Sequence, residues 1–486
     1  MKCKATGNQL IEFLKRHAAL GAASFHMPGH KGGKLYSRLG LANEFQYLPS
    51  LDITEIEGAD NLFQPEGPLE QLMERYRRLY ESKEAYLLVN GSSSGLMAAI
   101  WSCVSEGDKV IVGSNCHKSV INGLRIVGAN PIYVEPEIEE TFRCCGKVSA
   151  KAIKEKIDRW PEAKVVILTS PNYYGITSPI EEIAKIVEAN NGLLIVDQAH
   201  GAHLRWTEPK LAAEVNGAHL VICSTHKTLG SFTQSALLLV MSPKVDLGRL
   251  EDGLQIFQTS SPSYLLMASL EINAYILENY GKELFSQWME NVEWFLEEAN
   301  KIKEVEVLRC PGLDTTKLNI RMKAGNKMVN GQWLERKLRE KDVYLELYSH
   351  DMAMALTGIG NETADYKKLI NALKGIVKEA GDVSKNYGSE GALEINHGPE
   401  GCSPKGGELE GSFMPKVTEL VMLEEAIGQV CGQSLVPYPP GIPVISVGQT
   451  YTSEILEEMY ALRKKGMKVL GMTIDGRVYV GTDIPK

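Results

Sequence analysis

Between residues 85 and 241 short apolar runs alternate with helix-like segments, and this alternation constrains the fold more than any other feature of the chain. The runs fall at 85–89, 109–112, 131–134, 165–169, 193–196, 220–223 and 236–241. Each is too short for a buried helix and nearly continuous in apolar residues, as strands are when both faces of their sheet are covered. Strands alternating with helices predict an α/β fold built on a mostly parallel, seven-stranded sheet. In such sheets ligands bind beyond the carboxyl ends of the strands, so any site is to be sought just past each run.

Those positions are chemically dense. VICSTHKTLGSFTQ, residues 221–234, delivers Ser224, His226 and Lys227, while GLLIVDQAH reaches Asp197, with Ala199, His200 and His203 close behind. NGSSSGLMAAIWSC sets Ser92, Ser93 and Ser94 at the start of a helix, where hydroxyls, backbone N–H groups and the helix dipole form a cup for phosphate. Serines there also serve as ordinary helix caps. His117, just past a strand, has a ring able to stack on a flat ligand and shuttle a proton; Asn172, Tyr173 and Tyr174 either reach a ligand or shape their turn. A lysine and an acid at neighbouring strand ends suit a pyridine aldehyde: the lysine holds the aldehyde and the carboxylate keeps the ring nitrogen protonated. With the serine turn, they predict an enzyme that uses pyridoxal 5'-phosphate (PLP). Ala199 is small enough for a ring to lie against it.

A formal charge of -9, from 52 basic and 61 acidic residues in 486, leaves no electrostatic footprint for nucleic acid. The first 25 residues read as an amphipathic helix interrupted by Glu12, Lys15 and Arg16, not as a signal peptide. No apolar run approaches the ~18 residues of a membrane span. The expectation is a soluble, cytoplasmic protein without membrane contact. Nine cysteines show neither a CxxC pair nor metal-ligand spacing, which predicts free thiols and no metal; Cys144 and Cys145 read as part of a turn.

The remaining segments predict the domain plan. Residues 1–80 form an N-terminal helix and arm, including the titratable loop FHMPGHKGGKLY and a helix at 68–80 with Leu69, Leu72, Tyr76 and Leu79 on one face. Residues 81–300 form the PLP-binding domain, closing with a long bridging helix from 263 to about 299. Residues 301–381 form a small α+β domain with strands in LNIRM and VYLELY and a final helix; 382–412 is a Gly/Ser/Pro/Glu-rich linker. Residues 413–486 form a C-terminal α+β domain with helices at 417–431 and 453–465 and a turn at Asp475-Gly476.

Taken together, FHMPGHKGG, DNLFQPEGPL, LVNGSSSG, TSPNYYG, DQAHGAH, STHKTLGSFTQ and PYPPGIP resemble the Orn/Lys/Arg decarboxylases, in the same order from about residue 20 to residue 450. The likeness is to the short form of this PLP-dependent, fold-type-I (aspartate aminotransferase-like) group, which lacks a receiver-like wing domain. It implies that Lys227 forms the imine with the cofactor, Asp197 pairs with the pyridine nitrogen and His117 stacks on the ring. Ser224, His226 and the turn of Ser92, Ser93 and Ser94 would hold the phosphate, with Ala199 against the ring and His200 in the catalytic set. His30 and Lys31 would lie near the site, in a homodimer or an assembly of dimers.

The implied reaction is α-decarboxylation of a basic amino acid, with Lys227 or His117 returning the proton. Arginine, giving agmatine for polyamine synthesis, is favoured because short members are most often arginine decarboxylases; lysine and ornithine, giving cadaverine and putrescine, are the alternatives. Transamination or aldol cleavage would need an arginine to clamp the substrate carboxylate, for which Arg321 is the candidate. A non-catalytic member of the same scaffold is less favoured because the lysine, aspartate and serines are all present. Two departures stand out: Asn172 replaces a threonine of the family loop, and after PYPPGIP the chain reads Val447, Gly448, Gln449 in place of PGE. With that acid missing, Glu55, Glu66 and Glu346 are the candidate carboxylates for a cationic substrate tail.

Overall fold

The seven apolar runs pair into one sheet. The computed structural model describes residues 19–45, 51–56, 58–324, 327–349, 351–386, 415, 417–438, 443–464 and 468–482. The strands are β1 (Glu84–Leu88), β2 (Lys109–Gly113), β3 (Asn130–Val134), β4 (Val165–Thr169), β5 (Leu193–Asp197), β6 (Leu220–Cys223) and β7 (Ala236–Val240), in the spatial order β1-β7-β6-β5-β4-β2-β3. Every pairing is parallel except those of β7, which runs antiparallel to both β6 and β1. The expected α/β class, with a mostly parallel seven-stranded sheet, is therefore the one observed.

Side chains alternate across this sheet into two cores, which is why the runs are apolar at every position. Val221, Cys223, Leu237 and Leu239 face one core; Leu220, Ile222, Leu238 and Val240 face the other. The first is covered by α1 (Pro68–Tyr80), the second by α2 (Gly91–Cys103) and α3 (Lys118–Val127). Helix α1 starts at a proline and buries Leu69, Leu72, Met73, Tyr76 and Tyr80, with Leu79 partly buried against the same core. The Tyr76 and Tyr80 hydroxyls donate to the carbonyls of Leu270 and Ala202, at 2.7 and 2.8 Å. Each apolar side chain so buried contributes about 1.5–3 kcal/mol. Helix α4 (Tyr264–Asn300) runs 37 residues along the same core, with Phe285, Trp288 and Phe295 buried.

A smaller unit follows, with β8 (Lys317–Ala324), β9 (Val343–Leu345), β10 (Leu347–Ser349), β11 (Met352–Leu356) and α5 (Thr363–Asn386). VYLELY breaks at Glu346 into two strands in different sheets: β10 pairs with β11, while β9 pairs in parallel with Ala23–Phe25 from the N-terminal arm. That pairing brings the HMPGHKGG loop between the two units. The Gly29 N–H donates to the His226 carbonyl (2.8 Å), the Gly360 N–H to the Gly29 carbonyl (3.1 Å), and the buried Lys31 ammonium to the Leu356 carbonyl (3.0 Å). Helix α5 runs to Asn386, past the expected linker start at 382; the rest of that linker, and the N-terminal helix expected before residue 19, lie outside the described residues.

In the C-terminal unit the helix expected at 417–431 is instead β12 (Thr418–Met422) followed by a short 3-10 turn, Leu423–Ala426. Strand β13 (Val436–Tyr438), helix α6 (Ser453–Lys464), β14 (Lys468–Leu470) and β15 (Arg477–Gly481) complete the unit. Apolar spacing in TELVMLEEAIGQVC suited a helix, but β15 supplies β12 with an antiparallel partner from Thr418↔Gly481 to Met422↔Arg477. Gly428 at φ 79° and Gly432, packed on the Thr418 side chain, end any helical course. Similarly, Cys144–Cys145 form a strand paired with Ile138–Glu139 and not a simple turn. Val447 is buried in the α2/α3-side core, which joins the C-terminal unit to the large one.

A Cβ at Gly360 would lie 2.6 Å from the Gly29 carbonyl oxygen and 2.9 Å from the His30 carbonyl carbon, with backbone on both sides. Gly360→Ala is therefore expected to destabilise the protein by about 1–3 kcal/mol through overpacking. Chemical denaturation of the variant, with an unchanged m-value, checks this.

Candidate active site

At the carboxyl ends of β2, β4, β5 and β6 lies a cavity of about 260 Å³. Of the expected site residues, Ser92, Ser93, His117, Asp197, Ala199, His200, Ser224, His226 and Lys227 all line it. Ser94 does not: it is buried, and its hydroxyl donates to the Gly91 carbonyl at 2.8 Å, within its own helix turn. Tyr173 lines the cavity, whereas Asn172 is spent on its loop, donating to the carbonyls of Cys145 and Gly146 and accepting from the N–H groups of Tyr174 and Ile176.

Adjacent parallel strands set the central geometry. Strand β5 ends at Asp197, in register with Ile222 of β6, so the turn after β6 carries Lys227 back beside it. Asp197 is buried and accepts the Ala199 N–H at 3.1 Å. Burial pushes its carboxyl pKa up, against the pull of the Lys227 ammonium. The Lys227 amine lies 2.9 Å from His200 Nε2. Loss of water lowers the Lys227 pKa to about 8; Asp197 and Glu346 oppose the shift, and Lys317 adds to it. His200 is driven well below the usual histidine range by burial and then by the Lys227 and Lys317 charges, so its neutral ring accepts from the lysine.

The walls divide by chemistry. Helix α2 presents its amino end, with Ser92 and Ser93, to the cavity. His226 Nδ1 faces the Ser235 carbonyl at 2.8 Å, so it must carry the proton. His117 caps α3, its Nδ1 accepting the Ser119 N–H, which puts its proton on Nε2. Met27, from the HMPGHKGG loop, and Val436 and Leu470, from β13 and β14, add an apolar cover that sequence reasoning missed. No local signal marks them, since only tertiary folding brings residues so distant in sequence together. Among the described residues, no helix is long and apolar enough to cross a membrane.

Among the described residues, four buried polar atoms on side chains of the cavity wall have no protein partner: Asn115 Oδ1, Thr169 Oγ1, His200 Nδ1 and Ser224 Oγ. Unpaired buried groups of this kind cost about 1–3 kcal/mol each unless a ligand satisfies them. With a buried carboxylate, a lysine and a helix amino end, this donor set fits PLP: Ser224, Ser92 and Ser93 toward a phosphate, Asp197 toward a ring nitrogen and Lys227 toward an aldehyde.

The carboxylates proposed for a cationic tail fall in different places. Glu55 is exposed, and Glu66 lines a separate cavity with Arg77 and Glu251. Glu346 sits at the β9/β10 break, accepting the Met27 N–H (2.9 Å) and the Tyr173 hydroxyl (3.1 Å), and the Tyr173 ring lies 4.7 Å from that of His200. Gln449 is buried and accepts the Ser446 N–H within its own turn. Arg321 is occupied by the carbonyls of Thr141 and Phe142 and by Asp351, away from the cavity. His30 stacks on Tyr36, and Lys31, its pKa lowered to about 7 by burial, holds the His26 carbonyl at 2.7 Å; neither lines the cavity.

The chain is similar to known proteins along most of its length. A family model described as Orn/Lys/Arg decarboxylase, major domain, matches residues 9–381, and that family's C-terminal domain matches 407–475. An uncharacterised Bacillus subtilis protein, YaaO, is 31% identical over 462 residues, covering 93% of this chain and 94% of its own. The arginine decarboxylase of Bacillus anthracis is 28% identical over 484 residues, with 95% and 94% covered. The Francisella novicida lysine decarboxylase structure shares the fold, with a TM-score of 0.73 at 20% identity over 93% of this chain and 78% of that one.

In cofactor-free protein, the Lys227 pKa of about 8 leaves about one side chain in ten neutral at pH 7, against about one in three thousand for a lysine at the ordinary 10.5. Reductive labelling of Lys227 with a small aldehyde, followed by peptide mass spectrometry, is expected to reach half its maximal rate near pH 8. Asp197→Asn removes a charge that holds the proton on, so the midpoint should move down, not up.

Proposed function

The chain belongs to the Orn/Lys/Arg decarboxylase family, and from that premise we propose that it is a PLP-dependent decarboxylase of a basic amino acid whose substrate is arginine, converted to agmatine and carbon dioxide. The observation that carries the reaction type is the make-up of the cavity wall: it contains two lysines, Lys118 and Lys227, an acid and three histidines but, among the described residues, no arginine. An aminotransferase must grip the substrate carboxylate, whereas a decarboxylase must let it go. Arg321, the one candidate clamp, is committed elsewhere. Arginine is supported over lysine by the arginine decarboxylase relatives, which match this chain nearly end to end.

Bound at this site, PLP supplies an aldehyde that captures amines and a ring that takes up the electron pair of a breaking bond. The protein does the rest. Lys227, easily deprotonated, would hold the cofactor's aldehyde through its amine. Asp197, buried where its field is strengthened, would hold positive charge at the ring nitrogen. His117, on the cavity wall, would stack on the ring, and Ser92, Ser93, Ser224 and His226, which line the same cavity, would anchor the phosphate end. His200 Nε2, neutral and in contact with the Lys227 amine, accepts a hydrogen bond from it and so orients it. The apolar cover of Met27, Val436 and Leu470 excludes water while the carboxylate departs. Lys227 or His117 then returns a proton to the α-carbon. Glu346, reached through Tyr173, receives the cationic end of the substrate in place of the family acid that Gln449 lacks. The reading carries with it a cytoplasmic homodimer acting in polyamine synthesis.

Carbon dioxide release from labelled arginine, lysine and ornithine tests the proposal. Arginine should be turned over at least tenfold faster than the others by kcat/KM, and Lys227→Ala should abolish release together with the cofactor's visible absorbance. A keto acid formed without gas would reject decarboxylation.

A further inference from the structure

Behind the wall formed by His200 lies a second buried cation that the reaction, as described, does not use. We propose that Lys317, held by Asp314, is a positioning residue for Lys227: its ammonium grips the His200 carbonyl and so fixes the imidazole that contacts the Lys227 amine. This rests on the reading of Lys227 as the cofactor lysine.

The geometry is continuous from one unit to the other. Lys317 and Asp314 have side chains 0% and 2% exposed and pair at 2.6 Å. The same ammonium donates to the His200 carbonyl at 2.9 Å, and His200 Nε2 lies 2.9 Å from the Lys227 amine. The second arm runs through His203. Its Nε2 faces Asp314 (3.2 Å), so it carries the proton, and its Nδ1 accepts from the hydroxyl of Thr228, the residue after Lys227, at 3.1 Å. One carboxylate therefore supports Lys227 from two sides.

This bracket is itself anchored. The Thr316 hydroxyl donates to Asp314, the Thr316 carbonyl accepts from Thr357, and the Trp288 indole of α4 donates to the Thr357 hydroxyl at 2.8 Å. The TSPNYYG loop closes over it: at Gly175, φ +95°, a Cβ would stand 3.0 Å from the Lys317 side chain, and the Gly175 carbonyl accepts the Asp314 N–H at 2.8 Å. Stability alone does not call for these charges, because apolar groups of the same volume in place of a buried ion pair are often neutral or stabilising. A fixed positive charge directly behind His200 does have a use. It opposes protonation of His200 and leaves Nε2 free to accept from Lys227.

The groups facing Lys227 set the sign of the test. Asp197 and Glu346 favour its protonated form, Lys317 opposes it, and His117, His200 and His226 surround it as neutral rings. Removing the Lys317 charge should raise the Lys227 midpoint. In Lys317→Met, aldehyde labelling of Lys227 in the cofactor-free chain is expected to shift upward by about 0.5–1 pH unit. In the holoenzyme kcat should fall about tenfold with KM changed less than threefold. Lys317→Arg should restore the midpoint. A Lys317→Met protein with wild-type circular dichroism, a lower melting temperature and an unmoved midpoint would overturn the proposal, leaving a purely structural ion pair. If that variant is insoluble, Lys317→Gln, which keeps a donor but no charge, is read the same way, and an unmoved midpoint again overturns it. Wild-type protein that takes up no PLP rejects the functional reading, while the labelling midpoint in the cofactor-free chain still decides the role of Lys317.

Discussion

The site depends on holding a carboxylate and an amine together where water is scarce. Asp197 is buried at the end of β5, and Lys227 opens only toward the cavity one strand away. Each group resists its charged form there, which is why the acid gains proton affinity and the lysine loses it. Left to relax, such a pair would rotate apart toward solvent. The parallel ladder prevents this, because both groups leave rigid neighbouring strands within a few residues of their last hydrogen-bonded partners. The cavity's unpaired hydroxyls and its neutral histidines have meaning only around that pair.

What surrounds the pair comes from distant parts of the chain. The N-terminal loop contributes Met27 and is clamped between Gly29 and Gly360; the small unit contributes Glu346, Asp314 and Lys317; the C-terminal hairpin contributes Val436 and Leu470. The sheet supplies the reacting groups, and the satellites supply cover and support. This division follows from packing: the sheet is covered on both faces by helices, so its strand ends are the one open edge on which other segments can settle.

The sheet was legible in the sequence because a strand buried on both faces needs apolar residues at every position, which few other elements require. The groups at its carboxyl edge followed from position alone. Ser94 was misjudged because three serines in a row look alike until the helix turn chooses which hydroxyl it consumes. The helix expected at 417–431 failed for a different reason: the partner that makes TELVM a strand lies some sixty residues later, in RVYVG, and no local pattern announces it. The bracket of Asp314, Lys317 and His203 was invisible for the same reason. Each of its residues reads as an ordinary polar group in a loop or strand, and only the meeting of two units makes them a network.

The parallel pairing of Ala23–Phe25 with β9 has a consequence for how the chain comes to life on the ribosome. Met27 and its Glu346 partner are separated by 319 residues. At about 5–20 residues per second, the arm waits roughly fifteen seconds to a minute for the strand that receives it. Only in the last part of that interval, once β7 has ended at Val240, are all seven strands of the sheet made, and Lys227 then stands uncovered on one side. Nascent chains of this protein thus complete the strand ends that carry Asp197 and Lys227 before Glu346 can draw Met27 over them.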